Sequence, residues 1–311
     1  IRRPPRSTLD RSSAASDVYK RQLPKVLANH NRLRIEDLSR DAPERESEET
    51  TVPWFVEGEI ATAVRIHVES YDYLPVAGDR EILFVKNRMM LVRDTAEFQA
   101  PFHARVGPAF NHQNIGPQRG ESWYNGYVSS LFNLWENLTQ AFRNPVRDLL
   151  VYHAPRPGTR LTAKESRQGG AGATLTNPLR VWYARECLPD AGQIEEFTTL
   201  LLPHDPVLQV SDWVKNSVVV EYNEPGRTLY RISNELGDGS EEIVLMNRGG
   251  RIPRIGNLET DASMLYLSAT AGDNTRVFAT AATFVEWKGE RIVSAKQPQR
   301  LERIVAHGTA D

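Results

Sequence analysis

The sequence has little of several features that would otherwise define a class of protein. Its single cysteine, Cys187, excludes an internal disulfide framework and a cysteine-based zinc site. No apolar run approaches the roughly 18 residues that a membrane helix needs, so no membrane span is expected. The patterns of dinucleotide-binding loops, phosphate-binding loops and the GxSxG nucleophile turn are also missing. We therefore expect no bound cofactor.

The balance of charge gives no reason to expect a nucleic-acid partner. The chain has 311 residues, with 38 Lys and Arg against 40 Asp and Glu, and its net charge is −2. With +4 on residues 1–22, the remainder carries −6. No basic field favours bulk attraction to nucleic acid, and an acidic substrate would need a local basic patch.

The first 52 residues do not look like part of a folded core. Residues 1–22 have no apolar period and no hydrophobic region of a signal peptide, and they resemble a translated sequencing adapter. We interpret them as an artefact and expect the natural N-terminus to lie upstream. Residues 23–52 include the charged run RDAPERESEETT and are expected to be a linker or the remnant of an upstream domain.

From residue 53 onward the sequence has the texture of an all-β protein. Short runs of Val, Ile, Phe, Tyr and Thr are interrupted by Gly, Pro, Asn or Asp about every ten residues. Tight bends are predicted at residues 86–88, 225–226 and 288–289, each between two apolar runs. One amphipathic helix is predicted over residues 128–142, before the stop Asn144-Pro145.

Because so few helices separate so many strands, the sheets must be antiparallel. The prediction is a large antiparallel β-sandwich of the supersandwich kind over residues 53–240, with at most one or two short helices. A smaller C-terminal sheet over residues 241–305 is expected to pack on it.

A series of segments in the chain resembles a known family. In order they are DREILFVKNRMMLVRD, ARVGP, GESWYNG, RDLLVYHAP, FTTLLLPHDP, IVLMNRGG, LETDASMLYL and TFVEWKGERI. This order resembles the C-terminal β-sandwich region of heparinase II/III-like polysaccharide lyases, over roughly residues 53–300. No single segment is specific, and their sequential order carries the resemblance.

The resemblance implies a substrate, a reaction and a missing partner domain. Family members cleave uronic-acid polysaccharides by β-elimination, in a cleft between the sandwich and an N-terminal (α/α) toroid of helices. The toroid provides most of the catalytic groups, and the sandwich lends a histidine and side chains that contact the substrate. This chain would then be a fragment that lacks its toroid and has little activity alone. The family also implies a periplasmic or secreted protein.

Residues 102–126, FHARVGPAFNHQNIGPQRGESWYNG, hold most of the candidate site residues. His103 follows the LVRD strand at the distance where the family places an active-site histidine, and His112 is the alternative. A half-buried strand residue with a backbone partner would explain His103 equally simply. The predicted catalytic residues are therefore His103 and His112.

Four further residues of this stretch could bind the substrate. Arg105 and Arg119 could pair with a carboxylate or sulfate, because a guanidinium is a planar fork of donors. Trp123 and Tyr124 could stack on a sugar ring, although buried core aromatics are the more frequent case.

Three other histidines lie outside this stretch. His67 is a further substrate-binding candidate, and strand alternation predicts that it shares a face with Arg65 and Glu69. A solvated strand face explains His67 as well. His153 and His204 precede prolines and are expected to bond to the turns there. No histidine pair shows metal-ligand spacing, so no metal is expected.

Two rival functions remain open at this point. The chain could be a non-catalytic carbohydrate-binding sandwich, or a structural module beside some other chemistry such as epimerisation. A lyase predicts histidine and arginine clustered at one sheet edge, whereas a binding module predicts a line of exposed aromatic residues.

Overall fold

The computed structural model describes nine stretches of the chain and shows an all-β architecture. They are residues 31–39, 50–70, 74–112, 114–127, 148–165, 179–204, 209–233, 240–269 and 274–305. These residues form twenty β-strands and one α-helix, and every strand pair is antiparallel, which confirms the predicted fold class. No helix within them is long and apolar enough to cross a membrane.

The elements follow one another in chain order. They are β1 (Arg32–Asp37), β2 (Thr50–Glu57), β3 (Ala61–Val68), β4 (Val76–Val85), β5 (Met89–Phe98), β6 (Ala104–His112), β7 (Asn114–Arg119), β8 (Trp123–Tyr127), β9 (Asp148–His153), β10 (Thr159–Glu165), β11 (Leu179–Cys187), β12 (Ile194–His204), α1 (Val210–Ser217), β13 (Val218–Glu224), β14 (Arg227–Ser233), β15 (Glu241–Asn247), β16 (Ile252–Ile255), β17 (Leu258–Thr260), β18 (Met264–Ala269), β19 (Thr275–Trp287) and β20 (Glu290–Val305).

The strands form three sheets. A four-stranded sheet has the order β1-β6-β11-β10, and a central sheet has the order β2-β3-β4-β5-β12-β9-β8-β7. The C-terminal sheet has the order β13-β14-β15-β18-β19-β17-β16, with β20 paired to β19. Consecutive hairpins therefore build most of the central and C-terminal sheets, as the closely spaced turn signals predict.

The central sheet is the middle layer of the structure. On β5, Leu91 shares a core with Tyr230 of the C-terminal sheet. Phe98 of the same strand points the other way and packs with Ile35 of the four-stranded sheet. Because side chains alternate along a strand, both faces of β5 are buried, and nine of its ten residues are buried or half-buried.

The predicted bends are confirmed where they were expected. β4 and β5 are joined through Asn87, whose φ is +60°. Gly226, with φ +77°, closes the turn between β13 and β14. Lys288 and Gly289, with φ +54° and +83°, join β19 to β20 in the conformation that two-residue hairpins favour.

Within residues 23–52, predicted to be a linker or the remnant of an upstream domain, the structure shows a strand. Residues 32–37 form β1, because Leu33 and Ile35 alternate with polar residues and are buried against the central sheet. The helix predicted over residues 128–142 lies outside the described residues. The helix that is described, Val210–Ser217, was not predicted; its short sequence VSDWVKNS holds few strong helix formers, and its buried Val210 and Val214 anchor it.

The sheet that holds residues 241–305 begins earlier than the predicted boundary. The hairpin β13–β14 pairs with β15, so strands from Val218 onward belong to the C-terminal sheet. The division into a sandwich at 53–240 and a sheet at 241–305 stays a prediction about domains. The C-terminal sheet itself begins at Val218.

Two adjacent charged residues on β5 form ion pairs on opposite faces of the central sheet. Arg93 is 1% exposed, and its Nε donates to Oε2 of Glu81 at 2.7 Å while Nη1 donates to the carbonyl of Gly226 at 3.1 Å. Asp94 is also 1% exposed and accepts from Nε and Nη2 of Arg80 at 2.7 and 2.9 Å. The VRD segment is therefore a structural feature of the middle layer.

Replacing Arg93 by Met tests this assignment. The variant leaves the buried carboxylate of Glu81 without its main donor, so the free energy of unfolding should fall by about 3–5 kcal/mol. Urea unfolding monitored by tryptophan fluorescence measures this loss. Arg231→Ala is the matched control, because its ion pair with Glu221 is partly exposed and should contribute at most about 1 kcal/mol. Equal losses in the two variants would contradict the central role of Arg93.

Candidate functional site

The predicted site residues do not meet in one place. His103 and Arg105 lie at the beginning of β6, whereas His112 ends that strand, nine residues and about 30 Å further on. His67 is on β3, in the central sheet. The stretch 102–126 is therefore not a single catalytic edge.

His112 and Tyr124 form a buried hydrogen-bonded pair. Nε2 of His112 lies 2.7 Å from the hydroxyl of Tyr124, and the rings meet edge to face with centroids 5.1 Å apart. Burial lowers the pKa of His112 to about 4, so the ring is neutral near pH 7. Gly126 leaves room for the ring, because a Cβ there would lie 2.6 Å from Nδ1 of His112.

The burial of Tyr124 corrects one expectation. Its side chain has 0% exposure and its pKa is raised well above the usual value by burial. A ring without exposed surface offers no face to a sugar, so the stacking role expected of Tyr124 is not available in this structure. Tyr124 is therefore a core residue in this structure.

His153 is a second buried, neutral imidazole beside this pair. Its ring stacks on Tyr183 with centroids 4.5 Å apart and an interplanar angle of 6°, and Nδ1 lies 2.9 Å from the hydroxyl of Thr199. Burial first, and then the neighbouring His112, lowers the pKa of His153 to about 3. The hydrogen-bond partner Thr199 is on β12, whereas the sequence predicted a bond from His153 to the HAP turn.

His204 belongs to a different buried chain of polar groups. Its Nε2 lies 2.8 Å from Oδ1 of Asn125, and Nδ2 of Asn125 donates to Oδ2 of Asp148 at 3.0 Å. Trp213 of α1 packs on the histidine ring at 4.7 Å between centroids. Among the described residues, no three His, Cys, Asp or Glu side chains come together as metal ligands would.

Trp123 and Arg119 lie near the turn between β7 and β8. Trp123 is half-buried and packs against the core between the central and C-terminal sheets. A Cβ at Gly120 would lie 2.2 Å from Nε1 of Trp123, so the indole lies directly against the turn backbone. Arg119 is exposed. The substrate-binding roles of Trp123 and Arg119 stay predictions.

His103 and Arg105 lie at one end of the outer face of the four-stranded sheet. His103 is exposed, and its ring makes no hydrogen bond to the described part of the chain. Arg105 pairs with Glu186, with Nη2 and Oε1 2.5 Å apart, and its Nη1 lies 3.4 Å from Oε2 of Glu36. The catalytic role of His103 and the substrate-binding role of Arg105 stay predictions.

His67 combines partial exposure with a carboxylate that orients its ring. Its Nδ1 lies 2.9 Å from Oδ1 of Asp79, and its side chain is 25% exposed. Arg65 donates to both oxygens of Asp79, from Nε at 3.0 Å and Nη2 at 2.8 Å. Nε2 of His67 lies 3.5 Å from Oε1 of the exposed Glu69, so the predicted shared face of these residues is confirmed.

The charge of Asp79 fixes which ring nitrogen of His67 carries a hydrogen. Burial by itself would raise the pKa of Asp79, but hydrogen bonds from Arg65 and His67 outweigh it and the pKa lies below its usual value. Asp79 is therefore a carboxylate at neutral pH and accepts Nδ1–H of His67. In the neutral ring the other nitrogen, Nε2, is then the one with the free lone pair.

Sequence reasoning missed Asp79. Asp79 lies directly opposite His67 in the β3–β4 pairing. The signal was present, since Asp79 opens the segment DREILF that starts the predicted β4–β5 hairpin. Only the register of β3 against β4 shows that the two side chains meet.

The buried histidines predict how stability depends on pH. Because His112 and His153 have lower pKa values in the folded chain than in the unfolded chain, the unfolded state takes up protons first as pH falls below about 6.5. Between pH 7 and pH 5, each ring should remove on the order of 2 kcal/mol from the free energy of unfolding.

Urea unfolding at pH 7 and pH 5 measures this loss, and His153→Phe separates the two rings. The variant should lose about half as much stability over this interval as the original chain, whatever its stability at pH 7. A pH-dependent loss that is unchanged in His153→Phe would show that this ring is not held neutral.

Similarity to known proteins is found only among solved structures. No family model matches the chain, and no curated protein matches it. It is similar to a mutant of the heparan sulfate lyase of Pedobacter heparinus, with 13% identity, a TM-score of 0.43 and 78% of this chain covered. Two heparinase III structures are similar at 10% and 12% identity, with TM-scores of 0.46 and 0.44 and 86% and 78% of this chain covered.

These similarities extend over only part of each solved protein. The chain spans about a third of their length, at 31%, 33% and 29%. The three structures named here are two of heparinase III and one of a heparan sulfate lyase, and the order of this chain's sequence segments resembles the same group.

Proposed function

We propose that this chain is the β-sandwich part of a polysaccharide lyase that cleaves uronate-containing glycans by β-elimination, and that His67 is the proton acceptor it contributes. The observation that carries the proposal is the hydrogen-bonded array Arg65–Asp79–His67. Of the histidines at described positions, only His67 is both partly exposed and bonded to a carboxylate that orients its ring. His112, His153 and His204 are largely enclosed, and His103 has no orienting partner among the described residues.

The array suits the first step of the proposed reaction. Asp79 holds the imidazole in the tautomer that presents Nε2, so the lone pair of Nε2 can accept the proton from C5 of a uronate. The electrons left on C5 form the new C4–C5 double bond as the C4–O4 bond breaks, and the leaving O4 takes up a proton from an acid. A base that is held in one orientation before the substrate arrives loses no free energy to reorganisation.

The remaining roles are proposed for a helical domain outside this chain. The resemblance assigns to that domain the acid for O4 and the group that neutralises the uronate carboxylate. A reaction divided in this way needs both parts, so the chain alone is proposed to be inactive. Acidic glycans of this kind are met outside the cytoplasm, and we propose a periplasmic or secreted location for the intact protein.

A non-catalytic carbohydrate-binding sandwich is the second candidate. The separation of His67, His103 and His112 over three parts of the molecule favours it, because a lyase edge would bring such residues together. The burial of Tyr124 counts against a binding surface built on exposed aromatic rings. Turnover by the intact protein decides between these candidates.

The test uses the protein extended upstream to include its helical domain, assayed on uronate polymers for the ultraviolet absorbance of the unsaturated product. His67→Gln should lower kcat about 10²–10⁴-fold, the usual contribution of a positioned general base. Asp79→Asn, which keeps the shape but not the charge, should lower kcat less and shift the pH profile of kcat.

The outcomes are separable. His103→Gln removes the rival histidine, and a collapse of kcat in that variant, with His67→Gln still active, would transfer the proton-acceptor role to His103. Circular dichroism of each variant shows whether the fold is retained. No unsaturated product from any uronate polymer would exclude the lyase and leave the binding module.

A further inference from the structure

His67 shares its face of the central sheet with an arginine, a tryptophan and a hydroxyl group. The pairing of β2 with β3 sets Trp54 opposite Arg65, and it sets Thr51 opposite His67. Directly opposite residues of antiparallel strands point to the same face, so these side chains lie on the face that carries Asp79. The proposed proton acceptor is therefore one member of a larger polar and aromatic surface.

These side chains are accessible to solvent near the β2 edge of the sheet. The side chain of Arg65 is 38% exposed, and that of His67 is 25% exposed. Thr51 is exposed, and Trp54 is half-buried where its ring packs against the core between the central and C-terminal sheets. Within the described strands, β2 ends the central sheet on this side. A ligand can therefore reach this surface from the β2 edge.

Arg65 is held in place and keeps unused hydrogen-bond donors. Its Nε and Nη2 donate to the two oxygens of Asp79 at 3.0 and 2.8 Å, which fixes the plane of the guanidinium. A guanidinium has five N–H donors, and these bonds use two of them. Nη1 makes no hydrogen bond to the described part of the chain. Arg65 and His67 both bond to Oδ1 of Asp79, so the cation and the proposed proton acceptor lie side by side.

The neighbouring carboxylates leave Arg65 able to attract an anion from solution. Asp79 divides its charge between Arg65 and His67. Glu81, directly opposite Arg65, is paired at 2.6 Å with the buried Arg93. Glu69 is 65% exposed and lies 3.5 Å from Nε2 of His67, so its charge opposes an incoming anion. Solvent screens that repulsion, because Glu69 is so exposed.

We propose that Arg65 and Trp54 form a subsite that binds one uronate ring beside His67, with the sugar carboxylate on Nη1 of Arg65 and the C–H face of the ring on Trp54. The inference rests on the proposed function, which supplies the choice of a uronate, and it names the residues that bind this sugar. Arg65 would meet the carboxylate from the sandwich, in addition to the neutralising group proposed for the helical domain. A cation on the carboxylate also stabilises the charge that develops when the proton at C5 is removed.

An aromatic ring beside a cation suits an acidic sugar better than a simple anion. A tryptophan can contact the C–H face of a sugar ring while the polar substituents of that ring stay hydrogen-bonded. A free sulfate or phosphate would use Arg65 and leave Trp54 without a role. Phe55, the next residue along β2, is 59% exposed but points to the opposite face, because side chains alternate along a strand. Trp54 is therefore the aromatic residue of β2 that accompanies Arg65.

The experiment measures binding of a glucuronate-containing tetrasaccharide without sulfate groups, and of its methyl ester, to the chain itself. Titration followed by nuclear magnetic resonance detects the weak binding expected of one subsite. The free acid should bind about tenfold more tightly than the ester, because only the acid makes a charge-assisted hydrogen bond with Arg65. In Arg65→Gln the acid and the ester should bind equally. A general loss of stability would weaken both ligands and leave their ratio unchanged.

Two variants of β2 test the aromatic contact. Trp54→Leu removes the flat ring but keeps an apolar side chain against the core. It should weaken binding of the acid and of the ester by the same factor, roughly two- to tenfold, so that their ratio is unchanged. Phe55→Leu is the matched control, because it makes a similar change on the opposite face of the same strand, and it should leave both affinities unchanged.

A further variant should raise the affinity, which misfolding does not do. Glu69→Gln removes the exposed carboxylate beside His67 and should strengthen binding of the acid a few-fold. Binding of the uncharged methyl ester should stay the same.

The proposal is overturned if the original chain shows no preference for the acid, if the preference survives in Arg65→Gln, or if Phe55→Leu weakens binding as much as Trp54→Leu. The titration involves no turnover, so these results leave the proton-acceptor role of His67 to its own test. Conversely, an intact preference for the acid without any unsaturated product would exclude the lyase and leave Arg65 and Trp54 as a uronate-binding site.

Discussion

The burial of the central sheet on both faces is the constraint on which the rest of the structure depends. Adjacent residues of a strand point to opposite faces, so every polar residue of β5 must find a partner inside one of two interfaces. Arg93 and Asp94 show the solution, because each is fully buried and each meets its own opposite charge. Both pairs join β5 to β4, so the charges are satisfied within the central sheet, one on each of its faces.

The same layering decides where function can reside. Histidines that face an interface between layers, such as His112 and His153, lose much or all of their contact with water and are neutral near pH 7. His67 lies on β3, near the β2 edge of the central sheet, and retains access to solvent beside Asp79.

Much of the fold could be read from local pattern, but the site could not. Turn residues such as Asn87 and Gly226 stand where the chain must adopt positive φ, so the hairpins were predictable. The strand Arg32–Asp37 was missed because its partner, β6, lies some seventy residues away in sequence. Likewise, the alternating cations of β1 and β10 are visible in RLRIE and TRLTAK, but nothing local indicates that the two strands are the edges of one sheet.

The sequence by itself determined the all-β class, the antiparallel hairpins and the alternation of inward and outward residues, because these depend on neighbours within a few positions. The tertiary structure alone decided which faces are covered. That choice enclosed Tyr124, left His67 against Asp79 and brought distant arginines onto one surface. Burial and pairing depend on the register between strands that are distant in the sequence. The local pattern of one strand is compatible with many registers, and only the packing of the layers selects one.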